Sequence, residues 1–178
     1  GISTFEEIWF TDRNYDILNK HISKTTGIII VTWPTWSWKT TTLYSILNYL
    51  NKWTNKIITL EDPIEYEMPW IQQSQINYAK NYDYETGLKA ILRHDPDIIL
   101  VWETRSKETA DIAVNAALTG HLVFTTLHTN SSIASIPRLL SMGVEPYLLA
   151  PAIQLILGQR LVRSVCTHCS WKRPATYA

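Results

Sequence analysis

The chain has 178 residues, enough for one domain with a sizeable core. Apolar residues make up 46% and charged residues 18%, and the formal net charge is zero, so bulk electrostatics offers nothing to a nucleic acid or other polyanion. No apolar run approaches the ~20 residues that span a bilayer, and the N-terminus lacks the basic-then-apolar pattern of a signal peptide. The expectation is therefore a soluble intracellular protein, and one that reads as a fragment because it begins with Gly1 rather than Met.

In chain order, residues 1–26 carry an amphipathic pattern (Phe5, Ile8, Trp9, Ile17, Leu18, Ile22) that predicts a lead-in helix over 14–24, ending near Gly27. Ile28 to Thr32 is a continuous aliphatic run, as expected of a strand buried on both faces of a parallel sheet. Trp33-Pro34-Thr35-Trp36-Ser37-Trp38-Lys39-Thr40 follows, and then Thr40 to Asn51 places Leu43, Ile46, Leu47 and Leu50 at helical spacing. Ile57 to Leu60 is a second strand, closed by Glu61-Asp62-Pro63. Residues 65–82 are polar and aromatic and predict turns with a short strand.

A helix over 84–94 leads to Asp95-Pro96-Asp97 and a third buried strand, Ile98 to Val101, ending in Trp102-Glu103. An Ala-rich helix over 107–118, capped by Gly120, precedes a fourth strand, His121 to Leu127, which ends at His128. Two further helices are predicted over 131–142 and 146–158, separated by Gly143 and Pro146. Strands alternating with helices imply a parallel α/β sheet with ligands at the carboxyl ends of the strands.

The loop at 33–40 is the centre of the pattern. With glycine in place of each tryptophan it becomes G-P-T-G-S-G-K-T, a phosphate-binding P-loop in its usual place between a buried strand and a helix. Four polar clusters then stand at four strand ends: Lys39-Thr40, Glu61-Asp62, Glu103 and His128. One nucleotide site needs that shared position. A P-loop lysine answers the phosphate charge, the next hydroxyl ligates Mg²⁺, and loop amides with the helix N-terminus cradle the anion. Taken singly, a Lys-Thr is an ordinary helix start, Glu-Asp-Pro a capped turn and a strand-end histidine a locally satisfied one. Their joint placement favours the functional reading.

Near the C-terminus, Cys166 and Cys169 form a C-x-x-C around Thr167 and His168. One such pair is half a zinc site, with His168 as a candidate third ligand; two free thiols in a reducing compartment are the alternative.

On these motifs the chain resembles the C-terminal motor domain of the secretion ATPase superfamily, in particular the type II secretion and type IV pilus assembly ATPases. Residues 27–62 resemble the Walker A strand and helix and the Asp box, with Ile58-Thr59-Leu60-Glu61-Asp62-Pro63-Ile64-Glu65-Tyr66 matching that box. Residues 92–106 resemble the L-R-x-x-P-D…G-E-x-R-D signature, and 118–130 the His box. Gln159-Arg160-Leu161-Val162-Arg163 followed by the cysteine pair resembles assembly rather than retraction ATPases.

The resemblance implies an α/β fold of the RecA-like P-loop NTPase type: the end of an upstream domain or linker over 1–26, the ATPase domain over 27–165, and the start of a cysteine-containing segment over 166–178. It implies ATP and Mg²⁺ as cofactors. Residues 33–40 and Thr41 would bind nucleotide, and Thr40 and Glu103 would bind the metal. Glu103 would be the Walker B acid, Glu61 would polarise the attacking water with Asp62 beside it, and His128 would sense the γ-phosphate or couple neighbouring subunits. His121 would be a weaker companion, while Arg93 and Arg105 are motif arginines that fit core salt bridges as well as catalysis. Zinc at the cysteine pair follows from the same resemblance. So do a hexameric homo-oligomer, an inner-membrane platform and cytoplasmic docking proteins as partners, and a cytoplasmic location against that membrane machine. Nucleic acid is not expected, since the chain is neutral and has no basic aromatic strip.

The departures are concentrated. Trp33, Trp36, Trp38 and Trp102 stand where the family has glycine, Trp53 and Trp70 lie in turns that suit glycine, and Trp9 and Trp171 fit the same pattern less firmly. Tryptophan accounts for eight residues and glycine for only six, half the usual share of about 7%. Taken literally, an indole fills the space a phosphate needs, and a Cβ in the left-handed region costs roughly 1–2 kcal/mol. Yet the lysine, both acidic boxes and the His box are intact, whereas a decayed enzyme should lose residues across its site. The preferred reading is a gene in which UGA encodes glycine, translated as tryptophan. The alternative is a catalytically blocked structural member of the family.

Overall fold

The computed structural model describes residues 12–32 and 39–160, together with 166, 168 and 169. The loop at 33–38, the side chain of Lys39, residues 161–165, and both Trp9 and Trp171 lie outside the described residues. The elements are α1 (Asp12–Ile22), β1 (Gly27–Thr32), α2 (Lys39–Leu50), β2 (Ile57–Glu61), β3 (Gln72–Gln75), α3 (Tyr84–Ile91), β4 (Ile98–Val101), α4 (Lys107–Leu118), β5 (Leu122–Leu127), α5 (Ser135–Ser141), α6 (Pro146–Ala152) and β6 (Ile153–Gly158).

Among these residues the strands form one sheet in the order β3-β2-β4-β5-β1-β6, with every neighbouring pair parallel. β1, β2, β4 and β5 are buried along their whole length, which is why they read as unbroken aliphatic runs. Gly27 enters β1 at a φ of +113°, where a side chain would be strained and would also meet Gln154 from β6.

Helices cover both faces. Leu60 of β2 lies against Gly87 of α3, where an added Cβ would come within 2.7 Å of it. Side chains alternate along a strand, so Thr59 and Glu61 point to the other face, where Tyr44 of α2 meets Glu61. α3, α4 and α6 pack side by side, and α4 lies on β1 and β5. Ile29, Ile30 and Val31 are fully buried at the centre, each contributing about 1.5–3 kcal/mol of apolar burial. Leu18 and Ile22 of α1 join the same core.

Three sequence expectations are corrected. The helix expected over 146–158 is α6 only as far as Ala152, and Ile153–Gly158 is strand β6 on the free edge of β1. Pro151 lies at the end of α6, and the following Ile-Gln-Leu-Ile-Leu run fits a pleated edge at least as well as a helix face. The helix expected from 131 begins at Ser135, after a turn. The helix expected over 84–94 ends at Ile91, giving way to a 3₁₀ turn over Leu92–His94 that closes on Asp95 at φ +51°.

Candidate functional site

Because the six strands of the described residues are parallel, their carboxyl ends lie along one edge, and Glu61, Glu103 and His128 stand along it. β1 lies at the reversal of strand order: the chain leaves it for β2 on one side and returns to β6 on the other. In open α/β sheets that is the crevice where ligands bind. α2 begins at Lys39, and the amides of its first turn, which have no acceptor within the helix, lie at this end of the sheet. Thr40 and Thr41 are half-buried in its first turn. Thr42 donates to Gln159 Oε1 at 2.8 Å, and the Gln159 amide donates to the Thr32 carbonyl at 3.1 Å, tying α2 to the ends of β6 and β1.

Glu61 is the last residue of β2 and has no exposed surface. Its Oε2 accepts from the Tyr44 hydroxyl. Its Oε1 accepts from Thr59 Oγ1 at 2.5 Å and from Gln73 Nε2 at 3.0 Å. Burial and the bond to Glu61 both push the Tyr44 phenol far above its ordinary range, so it stays a proton donor. The Tyr44 ring lies edge-on to Tyr66, with centroids 4.5 Å apart, and to Trp102, 5.8 Å apart. Asp62 is exposed, beside the Tyr78 hydroxyl.

Glu103, two residues past β4, is 7% exposed. His128 Nε2, one residue past β5, lies 3.0 Å from its Oε1, and Arg105 pairs with its Oε2. That hydrogen bond is the main cause of a raised guanidinium pKa. The segment is fixed by β5: the Thr104 amide donates to the Thr126 carbonyl at 3.1 Å, the Thr104 and Thr125 hydroxyls bond at 2.7 Å, and Thr126 donates to the Trp102 carbonyl. Glu103 and His128 are thus one unit, and Arg105 belongs to it. The other motif residues do not gather there. Arg93 is exposed at the opposite end of β4, and His121, at the entry to β5, pairs its Nδ1 with the Ala116 carbonyl at 3.0 Å.

Sequence reasoning missed Tyr44, Gln73 and Thr59. Only Thr59 left a local signal, two residues before Glu61 and hence on its face of the strand.

The residues present fit a magnesium nucleotide. Thr40 and Glu103 supply oxygen donors only, the preference of a hard divalent cation, and the start of α2 supplies amides suited to phosphate. The cysteines differ. Cys166 and Cys169 are exposed free thiols, and amide hydrogen bonds from Cys169 and then His168 hold the Cys166 thiol below its ordinary pKa. Among the described residues no group of three or more His, Cys, Asp or Glu is placed to hold a metal.

Of the described tryptophans at expected glycine positions, Trp70 alone has glycine's backbone, at φ +66°, with 84% of its surface exposed. Trp53 is 98% exposed and lies against it, ring centroids 5.8 Å apart. Trp102 is buried in ordinary strand-end backbone and needs no special φ.

A family model described as "Type II/IV secretion system protein" matches residues 2–177. "Type II secretion system protein E" of Pectobacterium carotovorum subsp. carotovorum is 50% identical over 169 residues, which is 95% of this chain and 34% of that protein. The chain thus spans about a third of the length of the curated relatives it matches. The crystal structure of the pilus retraction motor PilT with bound ADP aligns with a TM-score of 0.79 at 36% identity, over 91% of this chain and 49% of that one. The ATPase DotB of Legionella pneumophila aligns at 0.75 and 30% identity, over 90% of this chain and 46% of that one.

Proposed function

The chain belongs to the Type II/IV secretion system protein family and has its RecA-like P-loop NTPase fold; on that premise we propose that it is the catalytic part of a Mg²⁺-dependent ATPase that powers pilus assembly or protein export. The observation that carries this reading is the convergence of the α2 N-terminus with Glu61, Glu103 and His128 on one edge of the sheet. Lys39 and the amides of residues 33–41 bind the phosphates. Thr40 and Glu103 would hold Mg²⁺, which when bound neutralises phosphate charge during phosphoryl transfer. Glu61 orients and polarises the attacking water. His128, tied to Glu103, reports whether the γ-phosphate is present. The active form is a ring of six such subunits working on an inner-membrane platform from the cytoplasmic side.

The tryptophans at 33, 36, 38 and 102 belong to the translation of the gene rather than to the working protein. Trp70 supports this reading, since its backbone at φ +66° suits glycine and strains an indole-bearing residue. The coding DNA decides it: UGA at these positions is the expected result, and UGG overturns it in favour of the blocked structural member. For activity, the full-length protein carrying Trp33→Gly, Trp36→Gly, Trp38→Gly and Trp102→Gly should hydrolyse ATP. The sequence as written, or the restored protein with Lys39→Ala, should lose at least about 100-fold in turnover, as befits groups acting directly on the transferred phosphoryl. No turnover by the restored protein refutes the ATPase reading.

A further inference from the structure

Glu61 occupies an unusual place for a group that must handle water, because it has no exposed surface and its carboxylate is already held by the chain. A carboxylate offers about four lone-pair sites. Among the described residues Oε1 takes two donors, Thr59 and Gln73, while Oε2 takes one, Tyr44. The remaining site is therefore on Oε2, next to the phenol, and the orientation of that oxygen depends on its donors.

The donors come from three separate places. Thr59 is on Glu61's own strand. Gln73 is on the edge strand β3, and is itself fixed: its Oε1 accepts from the Met68 amide at 2.7 Å and its Nε2 also reaches the Tyr66 carbonyl at 3.2 Å. Tyr44 is on α2, five residues after Lys39, on the helix whose first turn is the proposed phosphate site. Its ring lies edge-on to that of Tyr66, with centroids 4.5 Å apart.

We propose that Tyr44 and Gln73 are positioning residues for Glu61, holding its carboxylate between the P-loop helix and the edge strand with one Oε2 lone pair directed to the attacking water. This rests on Glu61 acting on that water.

The test is a mutant cycle in the full-length protein carrying Trp33→Gly, Trp36→Gly, Trp38→Gly and Trp102→Gly. Tyr44→Phe should lower kcat about tenfold, the worth of one hydrogen bond to a charged group, with KM for ATP and affinity for a fluorescent ADP unchanged within about twofold. Gln73→Leu should behave alike. Glu61→Gln should lower kcat by about 100-fold or more, and in that background neither substitution should lower it further. Unchanged kcat in both single variants overturns the proposal, as do losses that multiply with that of Glu61→Gln. If Tyr44→Phe does not fold, Gln73→Leu at the half-exposed edge strand decides alone. Full turnover by Glu61→Gln is a separate outcome: it removes the role of Glu61 and the positioning proposal with it.

Discussion

Trp70 carries at φ +66° a backbone that residues other than glycine, asparagine and aspartate rarely adopt. The cost of a Cβ there is roughly 1–2 kcal/mol, and the exposed contact with Trp53 recovers only part of it. Trp70→Gly should therefore stabilise the protein by about 1 kcal/mol, seen as a higher urea midpoint, while Trp70→Ala should gain nothing because it keeps the Cβ. Equal midpoints for Gly and Ala would show that the strain is absent. Trp102 behaves differently: it is buried beside Tyr44 in ordinary backbone, so glycine there is a matter of space over the site rather than of conformation. Glycine thus fits these two positions for different physical reasons, backbone conformation at 70 and side-chain space at 102.

The elements that present the site owe their ends to short-range hydrogen bonds. Ser106 caps α4, its hydroxyl accepting from the Thr109 amide at 3.2 Å, just beyond the Glu103–Arg105 pair. Ser106→Ala should cost about 1 kcal/mol, measured by chemical denaturation. Asp83 caps α3 by accepting from the Thr86 amide at 2.8 Å, and this bond first of all lowers its carboxyl pKa. A depressed folded-state pKa means the stabilisation is present above the unfolded value and lost as pH falls through the folded one. Asp83→Asn keeps the cap but should remove that part of the acid dependence of stability, readable from unfolding curves below about pH 5. An unaltered acid limb would refute it. At this scale the strands β1, β2, β4 and β5 were legible as aliphatic runs. α6 and β6 were not separable, because a short apolar run satisfies helix and strand periods alike and only the free edge of β1 chose between them.

For the whole molecule, the parallel sheet with helices on both faces follows from the alternation of runs and turns, and it necessarily gathers the strand ends on one edge. The ring proposed above makes a prediction at this scale. The glycine-restored full-length protein with nucleotide should scatter light as a particle of six subunits, and a monomer at all concentrations would overturn the ring.

The sequence by itself determined the family, the buried strands, and the presence of Glu61, Glu103 and His128 at strand ends, because each is encoded in residues close together in the chain. Tertiary structure alone decided that His128 and Arg105 share the two oxygens of Glu103 and that Arg93 and His121 stand apart. It also decided that Glu61 is held by a tyrosine 17 positions before it and a glutamine 12 after. Hydrogen bonds between distant elements depend on strand order and helix placement, and no local spacing records them.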